Sequence, residues 1–203
     1  MIAEAALQED YRDCLQELSN IAIGRTADKV ARRFSTSVQM PVPRVHLLQA
    51  ADVSMLLSAF DGSELITALA QPFFGAGISG EALLLVSDAT LSDLSQLMGY
   101  PAGASEEEQL EQLLEMTSLL TGPCIHTLLQ QLEIDELIGH PRLLARHTRR
   151  GEMLSGRHFS WARTLAIELN YGFEDYAIRC DLILLFHEQA FPVLRHKLDL
   201  LLS

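Results

Sequence analysis

The sequence predicts a mixed α/β (α+β) fold with pseudo-twofold symmetry: a central, largely antiparallel sheet with two long helices on one side. Three observations point there. The pattern Asp13, Glu17, Asn20, Pro43 recurs 98 residues later as Glu111, Glu115, Ser118, Pro141 with identical internal gaps, and Gly24 is matched by Gly122. Apolar positions superpose in the same register, Leu15 on Leu113, Leu18 on Met116, Val30 on Leu128 and Phe34 on Leu132. Further on, residues 82–86 match 182–186, and Leu91 and Leu94 match Phe191 and Leu194, at an offset of 100. The second copy therefore holds two extra residues in a loop. An internal repeat dictates architecture, so one domain over residues 1–203 is expected, built from repeats at about 10–98 and 108–200.

Residues 3–34 read as one long helix. Leu7, Tyr11, Cys14, Leu15, Leu18 and Ala22 form one stripe at helical spacing; Ile23, Ala27, Val30 and Phe34 lie nearly opposite. Either the helix bends near Gly24 or its halves bury against different neighbours. Pro41 and Pro43 forbid helical continuation. A short strand is expected at 45–48, a short helix or turn at 51–60, and strands at 65–73 and 78–87 around the turn Gly75-Ala76-Gly77. A helix at 91–98 closes the first repeat. Ser105 and Glu108 form a capping-box signature before a second long helix, which runs to about 132. The order then repeats: an extended segment from 143–144, strands at 163–170 and 176–186, and a helix at 189–202.

Composition limits the functional classes. Hydrophobic residues at 48% with 21% charged are typical of a soluble globular protein, and no apolar run approaches a membrane span. The first ten residues lack the basic segment of a secretory signal, so a cytoplasmic location is expected. A net charge of −12 argues against nucleic-acid binding. The basic cluster Arg142, Arg146, His147, Arg149, Arg150 reads as a solvated loop, with docking of an acidic partner as the other reading. Cys14, Cys124 and Cys180 show neither disulfide nor zinc spacing, and are expected to be reduced core thiols. No histidine is paired with a carboxylate at ligand spacing, so no metal site is expected.

At about 100° per residue, Asp13, Glu17, Asn20 and Gly24 fall within an arc of about 60°, across the helix from Leu15, Leu18 and Ala22. An acid and an amide thus point together, while Gly24, which costs about 1 kcal/mol of helix stability relative to Ala, would let another molecule come close. Such spacing also occurs on any wetted helix face. Pro43 and Pro141 read as structural, each opening a strand.

The stretch from Asp13 to Gly24, with Pro43 at its distance, resembles the signature of the CheC/CheX/FliY family of chemotaxis phosphatases, and its two tandem copies are similar to the CheC arrangement. The first copy fits at all four positions. The second departs twice, with Glu111 for Asp or Ser and Ser118 for Asn, while Glu115 remains. The resemblance implies hydrolysis of the aspartyl phosphate on a CheY-like response regulator. Glu17 would pair with the regulator's lysine and Asn20 would position the attacking water; Asp13 and Gly24 would contact the partner. Serine is shorter, and its one hydroxyl cannot bracket a water as an amide does, so Glu111, Glu115 and Ser118 form a degenerate second site. No cofactor is implied in this chain; magnesium would come with the regulator. The alternative is a noncatalytic adaptor for a receiver domain or for the receptor deamidase CheD. Fusion of two repeats supplies the symmetry of a dimer, and a monomer is expected.

Overall fold

A capping box starts one of the two long helices, as its sequence predicts. The computed structural model describes residues 7–49, 52–58, 65–101, 103–153 and 161–203. Ser105 Oγ accepts from the Glu108 amide at 3.3 Å and the Ser105 amide donates to Glu108 Oε2 at 2.7 Å, which holds the Glu108 carboxyl below its usual range. The helix that follows, α4 (Glu106–Gln131), continues through Pro123. Its counterpart α1 (Glu9–Phe34) has no side-chain cap and ends at Ser35 in the left-handed region. It begins at Glu9; Leu7 and Gln8 are not helical, and the expected start at residue 3 lies outside the described residues. Pro43 and Pro141 directly precede β2 (Arg44–Gln49) and β6 (Arg142–Arg149), opening each strand as expected.

The other elements are β1 (Val38–Gln39), α2 (Val53–Ser58), β3 (Leu65–Gly75), β4 (Ile78–Ser87), α3 (Leu91–Leu97), β5 (Leu137–Ile138), β7 (Arg163–Phe173), β8 (Ile178–His187) and α5 (Phe191–Leu202). Parts of the predicted 51–60 segment lie outside the described residues. β1 and β5 are too short to carry a sequence pattern. The strands β3 and β7 extend past their predicted ends because Phe74 and Gly75 still pair with Ser79 and Ile78, and Tyr171, Gly172 and Phe173 with Cys180, Arg179 and Ile178.

The strands among the described residues join one antiparallel sheet of eight, in the order β1-β7-β8-β4-β3-β5, with β2 also on β7 and β6 also on β3. The order is symmetric about the β4–β8 pair, where Leu83 faces Ile183. The two extra residues sit in the β7–β8 turn: residues 174–177 there replace 76–77 between β3 and β4. The leading strands of each half pair with the other half: β1 and β2 lie on β7, and β5 and β6 lie on β3.

Alternation along the strands separates two cores. One face, with Leu69, Phe73, Leu84, Ile167, Tyr171 and Leu182, packs under α1, α3, α4 and α5. The other face, with Ile66, Leu83, Leu85, Ile183 and Leu185, is covered by Val53 of α2, Met153 and Trp161. The two stripes on α1 belong to different neighbours. Its N-terminal half lies against α5, where Tyr11 bonds Asp199, and the helix runs unbroken through Gly24. No helix among the described residues is long and apolar enough to cross a membrane.

The basic cluster is not a solvated loop. Its residues lie on strand β6 and the turn after it, and most are neutralised inside the chain. Arg142 pairs with Glu81, Arg146 with Glu106 at 3.5 Å, His147 with Asp88 at 2.7 Å, and buried Arg150 with Asp181. Their carboxylate partners are distant in sequence, so a local reading could not reveal them.

Candidate functional site

On α1 the motif side chains stand clear of the core. Asp13, Glu17 and Asn20 are exposed and Leu15 is buried. Leu18, expected to be buried, is only partly so: it packs at the edge of the core, near the end of α4. Among the described residues no hydrogen bond or ion pair engages Asp13, Glu17 or Asn20. A Cβ added at Gly24 would meet nothing within 4 Å, so packing inside the chain does not demand glycine there.

The motif proline reaches the same turn of helix. Pro43 is buried, and its carbonyl accepts from Gln16 Nε2 at 2.8 Å, beside Glu17. The segment just before it carries exposed apolar side chains, Met40 and Val42, and Ile21 flanks Glu17 on the helix. An acid and an amide rimmed by apolar groups can bind a cation and orient a small polar molecule against a docked surface.

The second motif differs in more than its sequence. Helices α1 and α4 pack antiparallel, so the C-terminal end of each lies beside the N-terminal half of the other. Glu115 forms an ion pair with Arg33 Nη2 at 2.6 Å. The Ser118 hydroxyl donates to the Leu114 carbonyl at 3.1 Å, folded back on its own helix. Glu111 is exposed and a Cβ on Gly122 would also meet open space. At the position matching Arg33 stands Gln131, which donates to the Leu18 carbonyl at 3.0 Å and leaves Glu17 alone. Glu17 and Arg33, the residue that Glu115 contacts, stand 16 residues apart on α1, about 24 Å at 1.5 Å per residue, so the two motifs are held apart. Sequence reasoning missed Gln16, Arg33 and Gln131. The repeat offset could have found the last two, since it makes them equivalent positions.

Elsewhere, a cavity of about 640 Å³ lies between α1, α5, β2 and β7. It is lined by Tyr11 and Leu15, on the other side of α1 from Asn20. Three histidines pair with carboxylates that sequence spacing did not show: His46 with Glu168 at 3.1 Å, His126 with Glu136 at 2.5 Å, and His147 with Asp88. Among the described residues no three His, Cys, Asp or Glu side chains gather where they could hold a metal ion. All three cysteines are free thiols, and burial pushes those of Cys124 and Cys180 up to about 12.

No family model matches the chain, and no curated protein matches it in sequence. Solved structures do match. FliY from Thermotoga maritima superposes with a TM-score of 0.70 at 15% identity, over 96% of this chain and 98% of its own. The FliM middle domain from H. pylori gives 0.64 at 9%, over 93% and 99%. A chain of the CheX–CheY–BeF3–Mg2+ complex from Borrelia burgdorferi gives 0.51 at 13%, over 84% and 98%. The chain therefore shares its fold with CheC/CheX/FliY chemotaxis proteins and with the FliM middle domain.

Proposed function

We propose that the chain docks a phosphorylated CheY-like receiver domain on the α1 face and accelerates loss of its aspartyl phosphate. The observation that carries this reading is the state of Glu17 and Asn20. Both are exposed on one side of a rigid helix and neither is engaged by the chain itself, in a fold shared with a protein solved in complex with CheY. Glu17 holds the receiver's lysine. The Asn20 amide accepts from a water while donating to a phosphoryl oxygen, which places the water opposite the leaving carboxylate. A bond forms from water oxygen to phosphorus as the bond from phosphorus to the aspartyl oxygen breaks. The products are a free carboxylate and inorganic phosphate, and the water's proton passes to phosphate or solvent. Phosphoryl transfer needs mainly this placement and charge stabilisation, and the receiver brings its own magnesium ion. Met40, Val42 and Ile21 supply apolar contact around the polar pair, and Asp13 and Gly24 extend the docking line.

A second reading has the chain as a noncatalytic adaptor for a receiver or for CheD. The likeness to the FliM middle domain favours it. Timing phosphate release from a phosphorylated receiver with and without the chain separates the two. A faster release that Glu17→Ala and Asn20→Ala both abolish supports the phosphatase. Binding with unchanged release supports the adaptor.

A further inference from the structure

The two copies of the motif face opposite fates at one pair of equivalent positions. Residue 33, near the end of α1, corresponds to residue 131 at the end of α4, and Glu115 corresponds to Glu17. Arg33 reaches across the helix pair to Glu115 at 2.6 Å, and its guanidinium also lies 5.6 Å from the centre of the Phe34 ring. Gln131 is neutral and spends its amide on backbone carbonyls, that of Leu18 at 3.0 Å and that of Thr127 at 3.1 Å.

We infer that Arg33 is a specificity-determining residue that closes the second motif to any cationic partner group and so reserves the receiver for α1. The inference rests on the proposed docking of a receiver lysine on a motif glutamate. The guanidinium stands where that lysine would have to be. It repels a second cation, and its planar fork of donors matches a carboxylate better than a single ammonium does. Glu115 is therefore retained in the sequence but occupied, and the loss of Asn at 118 is only half of what silences this face. The pair is exposed, with side chains 53% and 38% accessible, so replacing Arg33 leaves the core untouched.

Two measurements decide it. Titration calorimetry with a beryllofluoride-activated CheY receiver should give one receiver per chain for the parent and two for Arg33→Gln, which copies Gln131. Phosphate release is then followed in an Asn20→Ala background, where the first site is silent. Ser118→Asn alone should leave the rate low. Ser118→Asn with Arg33→Gln should raise it about tenfold or more, toward the roughly hundredfold that one positioned donor supplies. If Ser118→Asn alone restores the rate as fully as the pair, or if Arg33→Gln binds no second receiver, Arg33 does not set the choice of face. A parent that binds no activated receiver overturns the proposed function, and this inference falls with it.

Discussion

Gln16 donates its side-chain amide to the carbonyl of Pro43 at 2.8 Å and so ties the segment entering β2 to the helix turn that carries Glu17. The bond holds Met40 and Val42 beside the motif. The matching position on α4 is Leu114, and among the described residues no such tie holds Pro141. Gln16→Leu should weaken receiver binding by up to about fivefold, the worth of one ordinary hydrogen bond of about 1 kcal/mol. Calorimetry with an activated receiver reads the change, and circular dichroism should show the helix content unaltered.

Asn20→Ala should cut the acceleration of phosphate release by about a hundredfold while changing stability by no more than about 0.5 kcal/mol, as expected at an exposed position. Ser118→Ala should leave the rate at the parental value, because that hydroxyl is already turned to Leu114. Decay of the phosphorylated receiver at equal concentrations of each variant is the assay.

Gly24→Ala should act in opposite directions on stability and binding. Open space surrounds the new Cβ, so the helix gains up to about 1 kcal/mol, read as a higher urea midpoint. The same methyl group stands on the docking line and should lower receiver affinity. Tighter or unchanged binding would show that the partner does not approach α1 there.

Asp181→Asn should destabilise the fold by about 3 kcal/mol. The change removes the Asp181 carboxylate from its ion pair with buried Arg150 and disturbs the 2.6 Å bond from Asn170; breaking a buried ion pair at one member costs on this order. The urea midpoint should fall with little change in slope.

Acidification should reveal His187. Burial pushes its pKa below the ordinary 6.5, partly countered by Glu81, and its ring stacks on Trp161 with centroids 5.5 Å apart. The unfolded chain then binds the proton first as pH falls. Stability is full above 6.5 and is lost as pH drops from 6.5 through the lower folded value. Glu168, whose carboxyl burial raises above 4.5, has the opposite slope: stability falls as pH rises from 4.5 through its folded value. Melting temperatures from pH 8 to 5 should drop more steeply for the parent than for His187→Gln, with the Glu168 contribution common to both.

Much of the fold was legible because its signals are periodic or local. Strand β4 begins and ends at the predicted residues, and the cap at Ser105 forms as read. The offset change from 98 to 100 resolves into the longer β7–β8 turn. The exposure of Glu17 and Asn20 followed from helical angle alone. What stayed hidden depends on contacts between distant residues. The pairing of Arg33 with Glu115 and of Arg150 with Asp181 is set by how helices and strands cross, and two-residue strands such as β1 have no period to read. Leu18 differs from Leu15 and Ala22 of the same stripe because it packs at the margin of the core while they lie within it.

The exchange of first strands between the halves bears on how the chain reaches this state. Val45 meets Ile167, 122 positions away, and Leu65 meets Arg149, 84 positions away. Neither closure can form until most of the polypeptide is present, so the ordering entropy of long loops comes due before the contacts that offset it, and folding should be slow for a protein of this length. A chain cut between the repeats would leave each fragment with an orphan strand and a vacant sheet edge. Such fragments would fold only by clasping each other or a copy of themselves. The repeats are thus fastened like two links, and damage to either one loosens the whole.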